Sequence, residues 1–106
     1  MKIRTGITLF AIMAAATAAA YAEAPGAAIY KANKCEMCHG ATGMAETGPG
    51  KAMKVKPVTD PDVRKLSREQ MVAATRNGMG KMQPYKDKLT DAQIKDAVDY
   101  FRTFVK

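Results

Sequence analysis

Two cysteines and the single histidine of the chain lie within five residues of each other, in the stretch CEMCH from Cys35 to His39. Two residues separate the thiols, so each thiol can add to one vinyl group at the edge of a porphyrin. The imidazole that follows can then reach the iron from below the ring. The spacing therefore predicts one c-type haem, attached through Cys35 and Cys38, with His39 as an axial ligand.

Other uses of a close cysteine pair fit this sequence less well. A thioredoxin-like redox pair needs a strand–helix context, which the hydrophobic pattern does not show. A zinc site needs a third cysteine or a second histidine, and the chain has neither. A haem-free dithiol protein is a further alternative, and the absence of a haem spectrum would favour it.

The first 22 residues predict a secretory signal peptide. Lys2 and Arg4 precede an uncharged, mostly apolar run at 7–20, and residues 20–22 (Ala-Tyr-Ala) place small side chains where a signal peptidase reads them. We expect cleavage after Ala22 and a periplasmic location. An uncleaved anchor is the alternative. However, the apolar run is short for a bilayer, which needs roughly 20 residues, and we expect no stable membrane anchor.

Residues 23–106 are expected to form one monohaem domain. Its formal charge is +5, because loss of Lys2 and Arg4 lowers the +7 of the full chain, and two ionised haem propionates would lower it further. A domain of this size buries a modest core, and a packed haem would supply the missing stabilisation. The cysteines are therefore assigned to thioethers, although export would permit a disulfide. Because the protein is exported and lacks a binding motif, its positive charge does not indicate nucleic acid.

The hydrophobic periodicity predicts helices and no strands. Helices are expected at 25–34, 61–65, 68–77 and from 91 onward, the haem-binding turn at 35–40, loops at 40–60 and 79–88, and a possible helical turn at 51–53. Ser67 with Gln70, and Thr90 with Gln93, form capping boxes at two of the helix starts. The last helix carries an apolar stripe of Ile94, Ala97, Val98, Phe101 and Val105. The lysines at 51, 54 and 56 are interpreted as solvated surface.

The second axial ligand must be a methionine, a lysine or water, because the chain has no second histidine. The methionines after residue 22 are Met37, Met44, Met53, Met71, Met79 and Met82. Met37 lies between the two cysteines and cannot cross to the opposite ring face, and Met71 is placed as a core residue. Met79 and Met82 lie in a glycine-rich loop that Pro84 stiffens. We expect Met82 to bind iron, with Met79 as the alternative.

With these features the chain resembles a class I cytochrome c of the small bacterial, monohaem type. The resemblance covers residues 23–106 and depends on the motifs CEMCHG at 35–40, GP at 48–49, NGMGKMQPY at 77–85 and YFR at 100–102. It implies an all-α cytochrome c fold, with three main helices and short helical turns wrapped round one covalently bound haem c. It also implies that Gly26 and Tyr30 cross the last helix near Ala97 and Tyr100.

The resemblance further implies a role for Pro49 in the cofactor site. Its carbonyl would accept the second N–H of His39 and fix the orientation of the imidazole. An ordinary turn proline is the alternative. The sequence departs from the family at Gln83, where many relatives carry proline or a small residue after the ligand.

The function expected from these features is one-electron transport in the periplasm, between a reductase or dehydrogenase and a terminal acceptor such as an oxidase. Filled axial positions leave no substrate site, so we expect a carrier and not an enzyme. Exposed lysines that should flank the haem cleft would steer a monomer to acidic patches on redox partners: Lys34, Lys81, Lys86 and Lys88. Solubility alone is the alternative role of these lysines.

Two other functions use the same fold. A haem-based sensor or weak peroxidase would require a labile sixth ligand. A dedicated cytochrome subunit of a periplasmic dehydrogenase would require a permanent partner. The sequence does not separate the second of these from a free carrier.

Overall fold

The computed structural model describes residues 24–105, so the predicted signal peptide at 1–22 lies outside the described residues. The helices of the described part are α1 (Pro25–Ala32), α2 (Cys35–His39), α3 (Gly48–Ala52), α4 (Pro61–Arg64), α5 (Arg68–Asn77) and α6 (Asp91–Arg102). Within residues 24–105 there is no strand beyond an isolated bridge between Met79 and Met82. No helix in this range has the length and apolar character needed to cross a bilayer. The all-α prediction is confirmed.

Helices α1 and α6 cross where α1 carries a glycine. A Cβ atom added at Gly26 would lie 2.7 Å from Cβ of Tyr100 and would collide with the carbonyl of Asp96. The absence of a side chain therefore lets the two backbones approach closely. One turn later the ring of Tyr30 packs edge-on against Tyr100, with centroids 5.4 Å apart. The crossing implied by the family resemblance is confirmed.

Helices α5 and α6 form the other half of the core, and both begin at the predicted capping boxes. Ser67 and Thr90 accept the backbone N–H groups of Gln70 and Gln93, whose side chains return a hydrogen bond to the cap residue. The core cluster contains Met71, Val72, Tyr85, Ile94 and Val98. Each helix is therefore fixed at its start by local chemistry and along its length by apolar burial.

The first helix, predicted at 25–34, ends two residues early in the structure. α1 ends at Ala32, where the Asn33 side chain donates to the carbonyl of Ile29 at 2.9 Å. Lys34 then takes a left-handed conformation, with φ of 61°, before α2 begins. This conformation is uncommon for a residue with a Cβ atom, and the sequence carries no glycine here to announce it. The break turns the CEMCH segment into a separate short helix.

The short helix expected at 51–53 begins earlier, at Gly48. Thr47 is its N-cap, because its hydroxyl accepts the Gly50 N–H at 2.9 Å. The same hydroxyl donates to the carbonyl of Met37 in α2. This residue therefore links α2 to the start of α3.

Candidate functional site

A cleft of about 780 Å³, including its open mouth, lies between α2, α4, α5, α6 and the loop after α5. The residues that line it are mostly apolar: Tyr30, Cys35, His39, Lys56, Val63, Leu66, Met71, Ala74, Thr75, Met79, Met82, Ala97, Val98 and Phe101. The cleft thus brings together residues from both ends of the described chain.

Helix α2 places Cys35 and His39 in the lining of this cleft, and Cys38 lies between them on the same helix. Cys35 and Cys38 are three residues apart on a helical segment, so they share a face. Both thiols are free and half-buried. Burial raises the pKa of the Cys35 thiol to about 11. A reactive redox pair needs a thiol whose pKa is lowered, so the structure gives no support to the thioredoxin-like alternative.

His39 lies at the end of α2 with its ring packed against Phe101, at a centroid distance of 5.2 Å. Burial lowers the pKa of His39, which favours the neutral imidazole that metals bind. Its backbone carbonyl accepts the Ala45 N–H at 2.8 Å. The Tyr30 hydroxyl donates to the next carbonyl, that of Gly40, at 2.7 Å. The histidine is therefore fixed by contacts from α1, α6 and the loop after α2.

The methionine loop, residues 78–89, reaches the same cleft after α5. Met79 and Met82 exchange two backbone hydrogen bonds, of 3.1 and 2.9 Å, which close a tight turn. Met82 is half-buried and packs against the core cluster, whereas the Met79 side chain is 63% exposed. Met71 also lines the cleft, but it is a buried member of the core as predicted. Met37 is 47% exposed on α2.

This arrangement agrees with what known proteins show. The family described as cytochrome C oxidase, cbb3-type, subunit III matches residues 22–101. The chain belongs to this family and is a small c-type cytochrome. Its structure is similar to that of a solved protein, the KustC0563 c-type cytochrome, with a TM-score of 0.67 and 30% sequence identity over 76% of this chain and 98% of that one. No curated protein matches the chain. The predicted family is confirmed.

The residues of this cytochrome fit a covalently bound haem. The attachment pattern and the imidazole of α2 meet a mostly apolar cleft at one place. The Nδ1 atom of His39 is buried and has no hydrogen-bond partner. Cys35, Cys38 and His39 are the residues that would hold the group on this side.

The role of Pro49 stays a prediction. Its carbonyl accepts the N–H of Met53 at 3.0 Å, a helical i to i+4 bond of α3. A carbonyl oxygen has two lone pairs, so this bond leaves it able to accept a second donor. The imidazole of His39 packs against Phe101, and its Nδ1 has no hydrogen-bond partner among the described residues.

Lys56 is a residue of the cleft that the sequence interpretation missed, since it was grouped with Lys51 and Lys54 as solvated surface. The structure places Lys56 in the lining of the cleft and pairs its Nζ with Asp62 Oδ2 at 2.7 Å. Pro57 follows Lys56 and neither of the other two lysines, but a proline does not by itself predict a lysine in a cleft. Its position depends on how the loop folds back beside α4.

Proposed function

We propose that this cytochrome is an exported one-electron carrier, whose single haem c is bound by His39 on one side and Met82 on the other. The observation that carries the proposal is that the CEMCH helix and the methionine loop line one apolar cleft. When bound, the haem would supply a one-electron couple. The chain's own residues attach it, hold the imidazole and exclude water from the cleft.

Burial supports Met82 as the methionine ligand. A ligand must hold its sulfur in one place inside the cleft, and Met82 is half-buried against the core cluster. Met79, the alternative, has a side chain that is 63% exposed. Met44 and Met53 are not among the residues that line the cleft. A soft thioether at the sixth position favours the reduced iron, as in other carriers of this kind.

The test is carbon monoxide binding to the reduced protein, followed by visible absorption. We expect the wild type not to bind carbon monoxide readily and Met82→Ala to bind it, because that change opens the sixth position. Met79→Ala is the matched control and should behave as wild type. Ready binding by the wild type would favour a sensor or weak peroxidase. Binding by Met79→Ala alone would move the ligand to Met79.

Export is part of the proposal and has its own test. The family match begins at residue 22, next to the proposed cleavage point after Ala22, which supports a mature domain starting there. We expect the haem-containing protein in the periplasmic fraction, with Glu23 as its first residue by mass spectrometry. A mature mass that retains residues 1–22 would contradict cleavage.

Partners of this carrier would be proteins with acidic docking surfaces. Lys34, Lys81, Lys86 and Lys88 are all exposed, and three of them belong to the methionine loop. The description of the matched family names an oxidase subunit, which favours a second candidate, a cytochrome that stays bound to one enzyme. Purification at physiological salt separates these functions. A free carrier should elute as a monomer, and a dedicated subunit should elute with its enzyme.

A further inference from the structure

Lys56 differs chemically from the rest of the cleft. Among the described residues that line the cleft, it is the single lysine, arginine, aspartate or glutamate. The other lining side chains are apolar or neutral. A haem brings two carboxylates, its propionates, into such a cleft. A cation at the wall of an apolar cavity is the group that can balance that charge.

The ion pair that Lys56 makes leaves it able to bind a second carboxylate. Its Nζ lies 2.7 Å from Oδ2 of Asp62, and Nζ of Lys65 lies 3.2 Å from the other oxygen, Oδ1. Asp62 is therefore shared by two cations. The three groups together carry one excess positive charge. When Lys56 turns toward another carboxylate, Lys65 continues to balance Asp62.

The backbone around Lys56 is held in place on both sides. The N–H of Val55 donates to the Gly50 carbonyl at 2.9 Å, and the N–H of Val58 donates to the Gly43 carbonyl at 2.9 Å. Pro57 follows directly and restricts Lys56 to extended conformations. The stem of the lysine is thus positioned by the fold, and only its flexible end needs to move.

The arginines of α5 and α6 have other partners. Arg68 and Arg76 donate to Asp99 and Asp91, with Nε to Oδ1 distances of 2.6 and 3.0 Å. Arg102 donates to the backbone carbonyl of Leu66 at 3.2 Å. None of these three arginines lines the cleft. Arg64 of α4 lines a different hollow, beside Thr59 and Phe104, so Lys56 is the cation placed to reach the cofactor.

We propose that Lys56 binds a propionate of the haem and that the pair of Lys56 with Asp62 tunes the reduction potential. This inference rests on the proposed function, since it needs the bound haem. A positive charge near the iron disfavours Fe(III) relative to Fe(II), so Lys56 raises the potential and Asp62 lowers it. Lys56 is a positioning and tuning residue, and it takes no part in bond making at the iron.

The test is a redox titration of the purified holoprotein, followed by visible absorption. We expect Lys56→Gln to shift the equilibrium about fourfold toward the oxidised form, an order-of-magnitude value for the loss of one positive charge near a redox centre. Asp62→Asn should shift it the opposite way, and Lys56→Arg should restore the wild-type potential. Lys51→Gln is the matched control, because both lysines are exposed but Lys51 lies outside the cleft.

A second readout separates local binding from a general charge effect. The reduction potential begins to depend on pH where the propionate starts to ionise. Binding to Lys56 lowers the pKa of the propionate, so Lys56→Gln should move the start of this dependence to a higher pH. Lys51→Gln should leave that pH unchanged. Equal shifts in the two variants would overturn the inference while leaving the carrier function intact. A protein without a haem spectrum would instead show that the proposed function itself has failed.

Discussion

His39 and Met82 line the same cleft, but different kinds of structure hold them there. On the histidine side, α2 is fixed by distant parts of the chain, through the Tyr30 hydroxyl on Gly40 and the Phe101 ring on the imidazole. On the methionine side, the two hydrogen bonds between Met79 and Met82 join residues only three apart. The first region depends on the global fold and the second on a local turn.

The methionine loop is nevertheless anchored at one end. The N–H of Tyr85 donates to the Thr75 carbonyl at 2.9 Å, and the N–H of Lys86 donates to the Arg76 carbonyl at 3.2 Å. Tyr85 itself is buried in the core cluster. The turn at Met82 can therefore open while the rest of the loop stays attached to α5. Substitutions on the histidine side should reduce the stability of the fold. Substitutions in the Met79–Met82 turn should mainly weaken the proposed bond between Met82 and iron.

Removing both thioether attachments should have the largest effect. The double variant Cys35→Ser with Cys38→Ser is expected to be largely unfolded, because a packed haem stabilises only the native state. Far-ultraviolet circular dichroism during heating measures this, with the wild-type holoprotein as the reference. A cooperative transition near the wild-type temperature would show that the polypeptide alone specifies both sides of the cleft.

A substitution where α1 and α6 cross tests whether the histidine side depends on the global fold. Gly26→Ala should lower the free energy of unfolding by about 1–3 kcal/mol, since its Cβ atom would collide with the Asp96 carbonyl and lie 2.7 Å from Cβ of Tyr100. Denaturant unfolding followed by the haem absorption gives the value. Gly48→Ala is the control, because nothing lies within 4 Å of a Cβ atom there. Equal effects at the two glycines would mean that the close approach does not matter.

A substitution at Gly78 tests whether the methionine side depends on its local turn. Gly78 has φ of 82° and ψ of 161°, a region essentially restricted to glycine, and an added Cβ atom would lie 2.9 Å from the Met82 carbonyl oxygen. We expect Gly78→Ala to weaken the sixth ligand and to increase carbon monoxide affinity about tenfold, as about 1.4 kcal/mol of local strain would. Carbon monoxide titration of the reduced protein measures it.

The control for this change lies two residues further along. Gly80 has φ of 57°, and nothing lies within 4 Å of a Cβ atom there, so Gly80→Ala should have a smaller effect. The free energy of unfolding should change less in Gly78→Ala than in Gly26→Ala. If Gly78→Ala unfolds the protein without opening the sixth position, the two sides are not independent and the comparison fails.

The parts of the structure that could be predicted from sequence are those determined by neighbouring residues. Both capping boxes act within four residues, so Ser67 and Thr90 predicted the starts of α5 and α6 correctly. The role of Gly26 was also predictable, because the family resemblance implied that α1 crosses the last helix at this residue. The attachment motif is local in the same sense, since its chemistry depends on the spacing of Cys35 and Cys38.

The features that the sequence did not predict depend on tertiary contacts. The break at Lys34 requires a left-handed lysine, which has no local signal. The early start of α3 at Gly48 was hidden by two glycines and a proline that resemble loop residues. Lys56 reaches the cleft because the loop folds back beside α4, and the implied bond to Pro49 stays a prediction. Met82 as the iron ligand stays a prediction.

Loss of a surface ion pair away from the cleft should have the smallest effect on stability. Arg68 donates two hydrogen bonds to Asp99, of 2.6 and 3.1 Å, and they hold the pKa of Asp99 below its ordinary value of 3.8. Because the pKa of Asp99 is lower in the folded state, the contribution of the pair is fully present above the unfolded pKa and is lost as the pH falls through the folded value. Both side chains are substantially exposed, so the contribution is small.

The Asp99→Asn variant should therefore melt slightly below wild type at neutral pH. The difference in melting temperature should disappear in acid, and carbon monoxide binding should not change. A larger effect on either ligand side would show that the junction of α5 and α6 controls the cleft.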